Sequence, residues 1–176
     1  TIAAALMVAF FWRQMRALTR RHVQMALILG ALYGVGQLLQ TIGLEHTTAS
    51  KSGFVTGMYV VLTPIFGAII FRDRLGPSTW IAVLLATAGL ALLSAQGLGI
   101  GLGELLTLAA AAAYALHIVG SGRWSRTEIA VGLSTVQMLV IAFLCAVAAT
   151  PGGVVMPTTG GQWAVVLYMA TAAGVG

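Results

Sequence analysis

Residues Thr47–Phe71 read TTASKSGFVTGMYVVLTPIFGAIIF, and RDRLG follows at once at Arg72–Gly76. An apolar run of this length predicts a membrane span, because about 20 helical residues cross a hydrocarbon core of roughly 30 Å. The run is not monotonous, however. Ser52, Thr56, Tyr59 and Thr63 recur at i, i+4, i+7 and i+11, which a helix places on one face. Pro64 cannot donate to the carbonyl of Val60 and is expected to kink the helix, as a hinge or as a static bend. The hydroxyl of Thr63 is expected to help satisfy that carbonyl.

The same character extends over the whole chain. Of its 176 residues, 59% are hydrophobic and only 7% charged, with mean hydropathy +0.98. Soluble domains carry about 25% charged residues, so too few charges remain here to solvate a globular surface. An all-α, polytopic membrane helix bundle is the predicted class. Nine Lys and Arg against four Asp and Glu would suggest nucleic acid in a soluble protein. In a membrane protein they report loop charge, so no nucleic-acid partner is expected. The single cysteine, Cys145, lies within an apolar run, which excludes a disulfide framework and a cysteine-based metal site.

Apolar runs cover roughly residues 1–12, 24–44, 53–71, 80–95, 104–120 and 129–149, with a last one from residue 162 onward. If each crosses once, every arginine falls in three loops on one side, 13–23, 72–79 and 121–128. The opposite loops hold Glu45 and Glu104, with Lys51 near the membrane edge. By the positive-inside rule the arginine-bearing loops are expected to be cytoplasmic, in a multi-pass protein of the cell (inner) membrane. The GLGIGLG segment (Gly97–Gly103) lacks the strand and lysine of a phosphate loop and reads as an extracytoplasmic turn. The first run begins without an initiator Met and the last is cut short, so the chain is expected to be part of a longer one.

Polar side chains inside spans are costly and usually face a bundle interior or a cavity. Tyr33, Gln37, Gln40 and Thr41 share an arc of the second run. Thr107, Tyr114, His117 and Ser121 share a face of the fifth, and Ser134, Gln137 and Cys145 one of the sixth. With the Ser52 stripe, that makes four polar faces, expected to line a shared polar lumen; the alternative is hydrogen-bonded glue between helices. Gly30/Gly34 and Gly53/Gly57 have the spacing for close helix packing. Lys51 is either an interfacial anchor or a cation facing the lumen, with Glu45 and His46 placed to partner it. His117 is either a hydrogen-bonded structural residue or a proton relay. No buried Asp or Glu is expected in the spans.

The run from Gly43 to Ser94, with its hydroxyl-rich helix start, mid-helix proline and short RDRLG turn, resembles the first EamA domain of drug/metabolite transporters. GELLTLAAAAAYALHIVGSGRWS (Gly103–Ser125) is similar to the start of the second, where a Gly-acidic-Leu turn leads into an Ala-rich helix. Asp73 stands where that family commonly has Glu. The resemblance implies a fragment of a ten-helix fold with two inverted five-helix halves. Residues 1–96 would hold part of the first half (end of helix 2, helices 3–5), and 97–176 part of the second (helices 6–7, part of helix 8). It also implies a secondary transporter that exports or exchanges small metabolites, amino acids among them, by alternating access. Tyr33, Gln37, Lys51, Thr56, Tyr59, Tyr114, His117 and Gln137 would line the substrate path, with Pro64 as hinge. No cofactor, metal or catalytic residue is expected: there is no Walker motif, and His117 with Ser121 lacks an oxyanion site. A structural or assembly subunit is the alternative, an intramembrane enzyme a remoter one. The partners are then a small-molecule substrate and the lipid bilayer.

Overall fold

The computed structural model describes residues 2–72, 75–95, 101–126, 129–150 and 159–172. These form eight helices: α1 (Ile2–Arg16), α2 (Arg20–Leu44), α3 (Ala49–Gly57), α4 (Tyr59–Phe71), α5 (Pro77–Ala95), α6 (Leu102–Trp124), α7 (Ala130–Ala149) and α8 (Gly160–Ala172). Four segments are long and apolar enough to cross a membrane: Arg20–Leu44, Ala49–Phe71, Leu102–Trp124 and Ala130–Ala149. A shorter apolar stretch, Pro77–Gly89, begins α5. The chain is therefore a multi-pass membrane protein, all-α among its described residues. Most of the GLGIGLG turn and of the PGGVVMPTTGG loop lies outside them.

The span Ala49–Phe71 is interrupted at Met58. The N–H groups of Val61 and Leu62 both reach the Met58 carbonyl, at 3.0 and 2.9 Å, and the Met58 N–H returns to Val55 at 3.1 Å. The Val61 and Met58 bonds are of i→i−3 type, so the turn between the two helices is tightened there. Gly57, a weak helix former, stands beside it, and the ladder ahead is already weakened because Pro64 withholds a donor from Val60. Pro64 itself sits inside α4. Thr63 donates to the Tyr59 carbonyl at 2.6 Å, one residue short of the Val60 carbonyl expected from sequence. Arg72 ends α4 in the left-handed region (φ 58°, ψ 34°), its N–H bonded to Gly67 O.

Packing divides the chain into two compact units, Thr1–Gly34 with Trp124–Gly176, and Val35–Arg123. In the first unit α1 packs along α7 and touches α8. Ala26, Leu29, Leu133 and Val136 form its core, with Met15, Leu18 and Trp124 against them. The Gly30/Gly34 spacing is used as expected: a methyl on Gly30 would lie 2.9 Å from Val140 Cβ, and one on Gly34 2.6 Å from Leu144 Cδ1.

The second unit is built on α6, whose Ala110, Ala111, Ala113 and Ala115 are buried. Small residues let α2 approach it backbone to backbone. A methyl on Gly43 would meet Thr107 Oγ1 at 2.8 Å and the Gly103 carbonyl at 2.9 Å, and one on Gly36 would meet the Tyr114 ring at 2.7 Å. Gly53 and Gly57 are different. Nothing lies within 4 Å of a methyl on either, so that pair is not a packing seam among the described residues. At one end of this unit Arg123 stacks 4.6 Å over the Phe71 ring, which brings the ends of α4 and α6 together. The starts of α3 and α6 meet at the other end. Large apolar side chains such as Ile69 and Leu84 point outward, 71% and 68% exposed, as a lipid-solvated surface allows.

Gly43→Ala is expected to destabilise the full-length protein by about 1–3 kcal/mol, since one of the atoms in its way is backbone. Gly53→Ala should be neutral or stabilise by up to about 1 kcal/mol through helix propensity. Thermal unfolding of the two variants in one detergent measures the contrast, and equal midpoints would contradict it.

Candidate functional site

The polar side chains of the second unit gather along α6. Glu104 stands three residues after Gly101, in the first turn of α6, where a carboxylate suits the positive end of the helix dipole. Its Oε2 reaches back to the Gly101 N–H at 2.9 Å, the acidic half of a capping box. Its Oε1 accepts a 2.5 Å hydrogen bond from the Thr47 hydroxyl and lies 3.6 Å from Lys51 Nζ. Glu104 is only 7% exposed. Two sequence expectations are corrected here. The spans do hold a buried carboxylate, and it is Glu104, rather than Glu45 or His46, that partners Lys51. The α2–α3 turn brings this about: Gly103 has no side chain and so admits the backbone of Gly43 and His46.

One turn further along α6, Ser52 and Thr107 are both buried with their hydroxyl oxygens 3.4 Å apart. Two turns beyond, the Tyr114 hydroxyl points at Gln40 Oε1 (2.8 Å) and Gln37 Oε1 (3.2 Å). A hydroxyl carries one proton, so the shorter contact to Gln40 is the principal bond. Gln40 spends its other end on Thr56, donating to Oγ1 at 3.0 Å. Gln37 makes the longer, weaker of the two amide contacts to the Tyr114 hydroxyl.

The structure thus joins Gln37, Thr56 and Tyr114 into one cluster, with Lys51 in a second cluster at the start of α6. Tyr59 is half-buried at the start of α4. His117 is half-buried, its Nε2 3.5 Å from the Ser121 hydroxyl one turn on. Tyr33 and Gln137 belong to the first unit. Tyr33 is 38% exposed, and the Gln137 backbone lies against Gly30. Ser134, grouped with Gln137 by periodicity, is exposed, and the buried hydroxyl of α7 is Thr135. Pro64 lines a cleft of about 410 Å³ with Thr63, Gly67, Leu75, Thr79, Ile118, Val119, Gly122 and Arg123. No group of three or more His, Cys, Asp or Glu able to hold a metal occurs among the described residues. Sequence reasoning left Glu104 and Thr47 out of the site. The capping-box register Gly101–Glu104 was the available signal for the first, and no local pattern marks the second.

Comparison with known proteins adds to this geometry. A family model described as the EamA-like transporter family matches residues 1–95, more than half of the chain. The chain belongs to that family. An uncharacterized transporter of Archaeoglobus fulgidus is 33% identical over 118 residues, a match covering 67% of this chain and 38% of the relative. The matched part of the chain therefore spans well under half the length of that relative. No solved structure matches.

Tyr114→Phe removes a single hydroxyl from the cluster. It is expected to cost about 0.6 kcal/mol and at most ~1.7, the range of side-chain hydrogen bonds inside membrane proteins. Gly36→Ala, which pushes the whole ring aside, should cost more. Denaturation of both variants in mixed micelles tests the order, and a larger loss for Tyr114→Phe would overturn it.

Proposed function

We propose that the full-length protein is a secondary transporter exporting or exchanging small polar or amphipathic metabolites, such as amino acids, by alternating access. The observation that carries this reading is the Gln37–Gln40–Thr56–Tyr114 cluster. It places uncharged donors and acceptors one to three turns inside the spans, with Gln37 on the weaker arm of the Tyr114 contact. Membership of a transporter family supports it. Tyr33, Gln37, Thr56, Tyr59, Tyr114, His117 and Gln137 line the path in this proposal, and Lys51 stands at its extracytoplasmic mouth. The Met58 break and Pro64 together supply the bend about which the third span flexes. No catalytic residue and no cofactor is assigned.

The proposed topology has two inverted halves, 1–96 and 97–176 being their portions here, with the substrate site between them near the membrane midplane. The loops carrying Arg13–Arg21, Arg72 with Arg74, and Arg123 with Arg126 face the cytoplasm of the inner membrane. The second reading, a structural or assembly subunit, rests on one observation: Gln40, Thr56 and Tyr114 already bond to one another, as glue between helices does.

Cysteines placed singly at Gln37, Tyr59 and Gln137 of the full-length protein separate the two. A water-lined path predicts reaction with aqueous thiol reagents and protection by substrate, whereas unreactive sites in every condition would leave only the assembly role. Proteoliposomes carrying the protein should accumulate or release members of a metabolite panel. No flux with or without an ion gradient would sink the transport reading.

A further inference from the structure

The Lys51–Glu104 pair has features that a static brace would not need. Its charges face each other at 3.6 Å, beyond hydrogen-bonding distance, and the Lys51 side chain is 19% exposed, so the ammonium can be hydrated when it leaves. Glu104 is not stranded by that departure, because Thr47 and the Gly101 N–H still hold both its oxygens. The two partners also sit on different kinds of support. Glu104 belongs to a rigid corner in which Gly43, His46 and Gly103 touch backbone to backbone.

Lys51 belongs to α3, a nine-residue helix joined to α4 through the tightened turn at Met58. Only Ser52 and Val55 of α3 are buried, and its glycines face open space among the described residues. Besides the buried Val55, its contacts to the corner are polar: Lys51 to Glu104, Ser52 to Thr107 at 3.4 Å, and Thr56 to Gln40 at 3.0 Å. A short helix fastened by a charge contact and two hydroxyl contacts, with Val55 as its one buried apolar side chain, can detach at the cost of exposing that side chain alone.

We propose that α3 is a gate at the end of the path remote from the arginine loops, and that Glu104 is the positioning residue that latches it shut through Lys51. The proposal rests on the path assigned above. In the latched state α3 covers the Gln37–Tyr114 cluster from that end. Loss of the charge contact biases the protein toward the state in which this end is open and the arginine end is closed.

The test uses the full-length protein with Cys145→Ser and a reporter at Gln37→Cys, in right-side-out and inside-out vesicles. The probe is a membrane-impermeant methanethiosulfonate. Glu104→Gln keeps the shape and the Thr47 bond but removes the charge, and Lys51→Gln removes the other partner. Each should raise labelling from the Lys51 side about tenfold and lower labelling from the arginine side in step, while Lys51→Arg keeps the parent rates. That reciprocal change marks a shift between two states, which mere loosening of the bundle would not produce. Unchanged rates, or rates rising from both sides together, overturn the gate and leave the path standing. A reporter that no variant exposes from either side overturns gate and path alike.

Discussion

Hydrocarbon offers no hydrogen bonds, so every polar group inside a span must find its partner within the protein. That constraint sorts the polar residues of this chain into two groups. Thr41, Thr63, Thr87, Thr107 and Thr135 each donate to the carbonyl four residues back on their own helix, at 2.6–2.8 Å. They need no neighbour and can sit on almost any face. Gln37, Gln40 and Tyr114 cannot satisfy themselves in this way, since amide and phenol groups stand too far from their own backbone. They have to meet across helices, and their meeting fixes how α2 turns toward α6. A stripe of threonine and a stripe of glutamine look alike in periodicity and differ in consequence.

Backbone proximity makes that meeting possible. The Tyr114 ring needs the space left by Gly36, and the start of α6 needs Gly103 and Gly43 to let two backbones touch. Association inside a membrane draws little on the hydrophobic effect and depends on close contact between small residues. The alanine block of α6 serves the same end. Polar cluster and glycine seam are therefore one construction: the seam sets the distance, and the cluster then fills it with bonds of modest strength.

Much of this was legible in the sequence because it depends on local signals. Span positions follow from apolar run length. The Gly30/Gly34 seam follows from spacing. Partner identity did not follow, because it depends on how far each helix is turned and how deeply it sits. Glu104 looked like a loop residue, being next to a glycine-rich turn, yet the adjoining turn folds over it and buries it. Lys51 had two polar neighbours in sequence and took a third one 53 positions away. Gly53 and Gly57 had the same spacing as Gly30 and Gly34, but among the described residues no neighbour meets them. The break at Met58 was masked by Pro64, the stronger signal, whose effect on the ladder reaches back toward the preceding turn.

The opposition between glue and path is less sharp than it looks. A bond of about 0.6 kcal/mol between two side chains in a membrane is worth roughly one RT, so exchanging it for a bond to a ligand costs little. A site whose side chains bond one another when empty avoids unsatisfied polar atoms, whose cost in an apolar surrounding is about 1–3 kcal/mol each. Gln40, with both ends engaged, suits the role of scaffold. Gln37, on the weaker arm of the Tyr114 contact, is the member that yields most easily in the proposed path. The same network can hold helices together in one state and yield one of its bonds in another, and mutual satisfaction of polar groups is what a membrane-embedded site requires while it waits for its ligand.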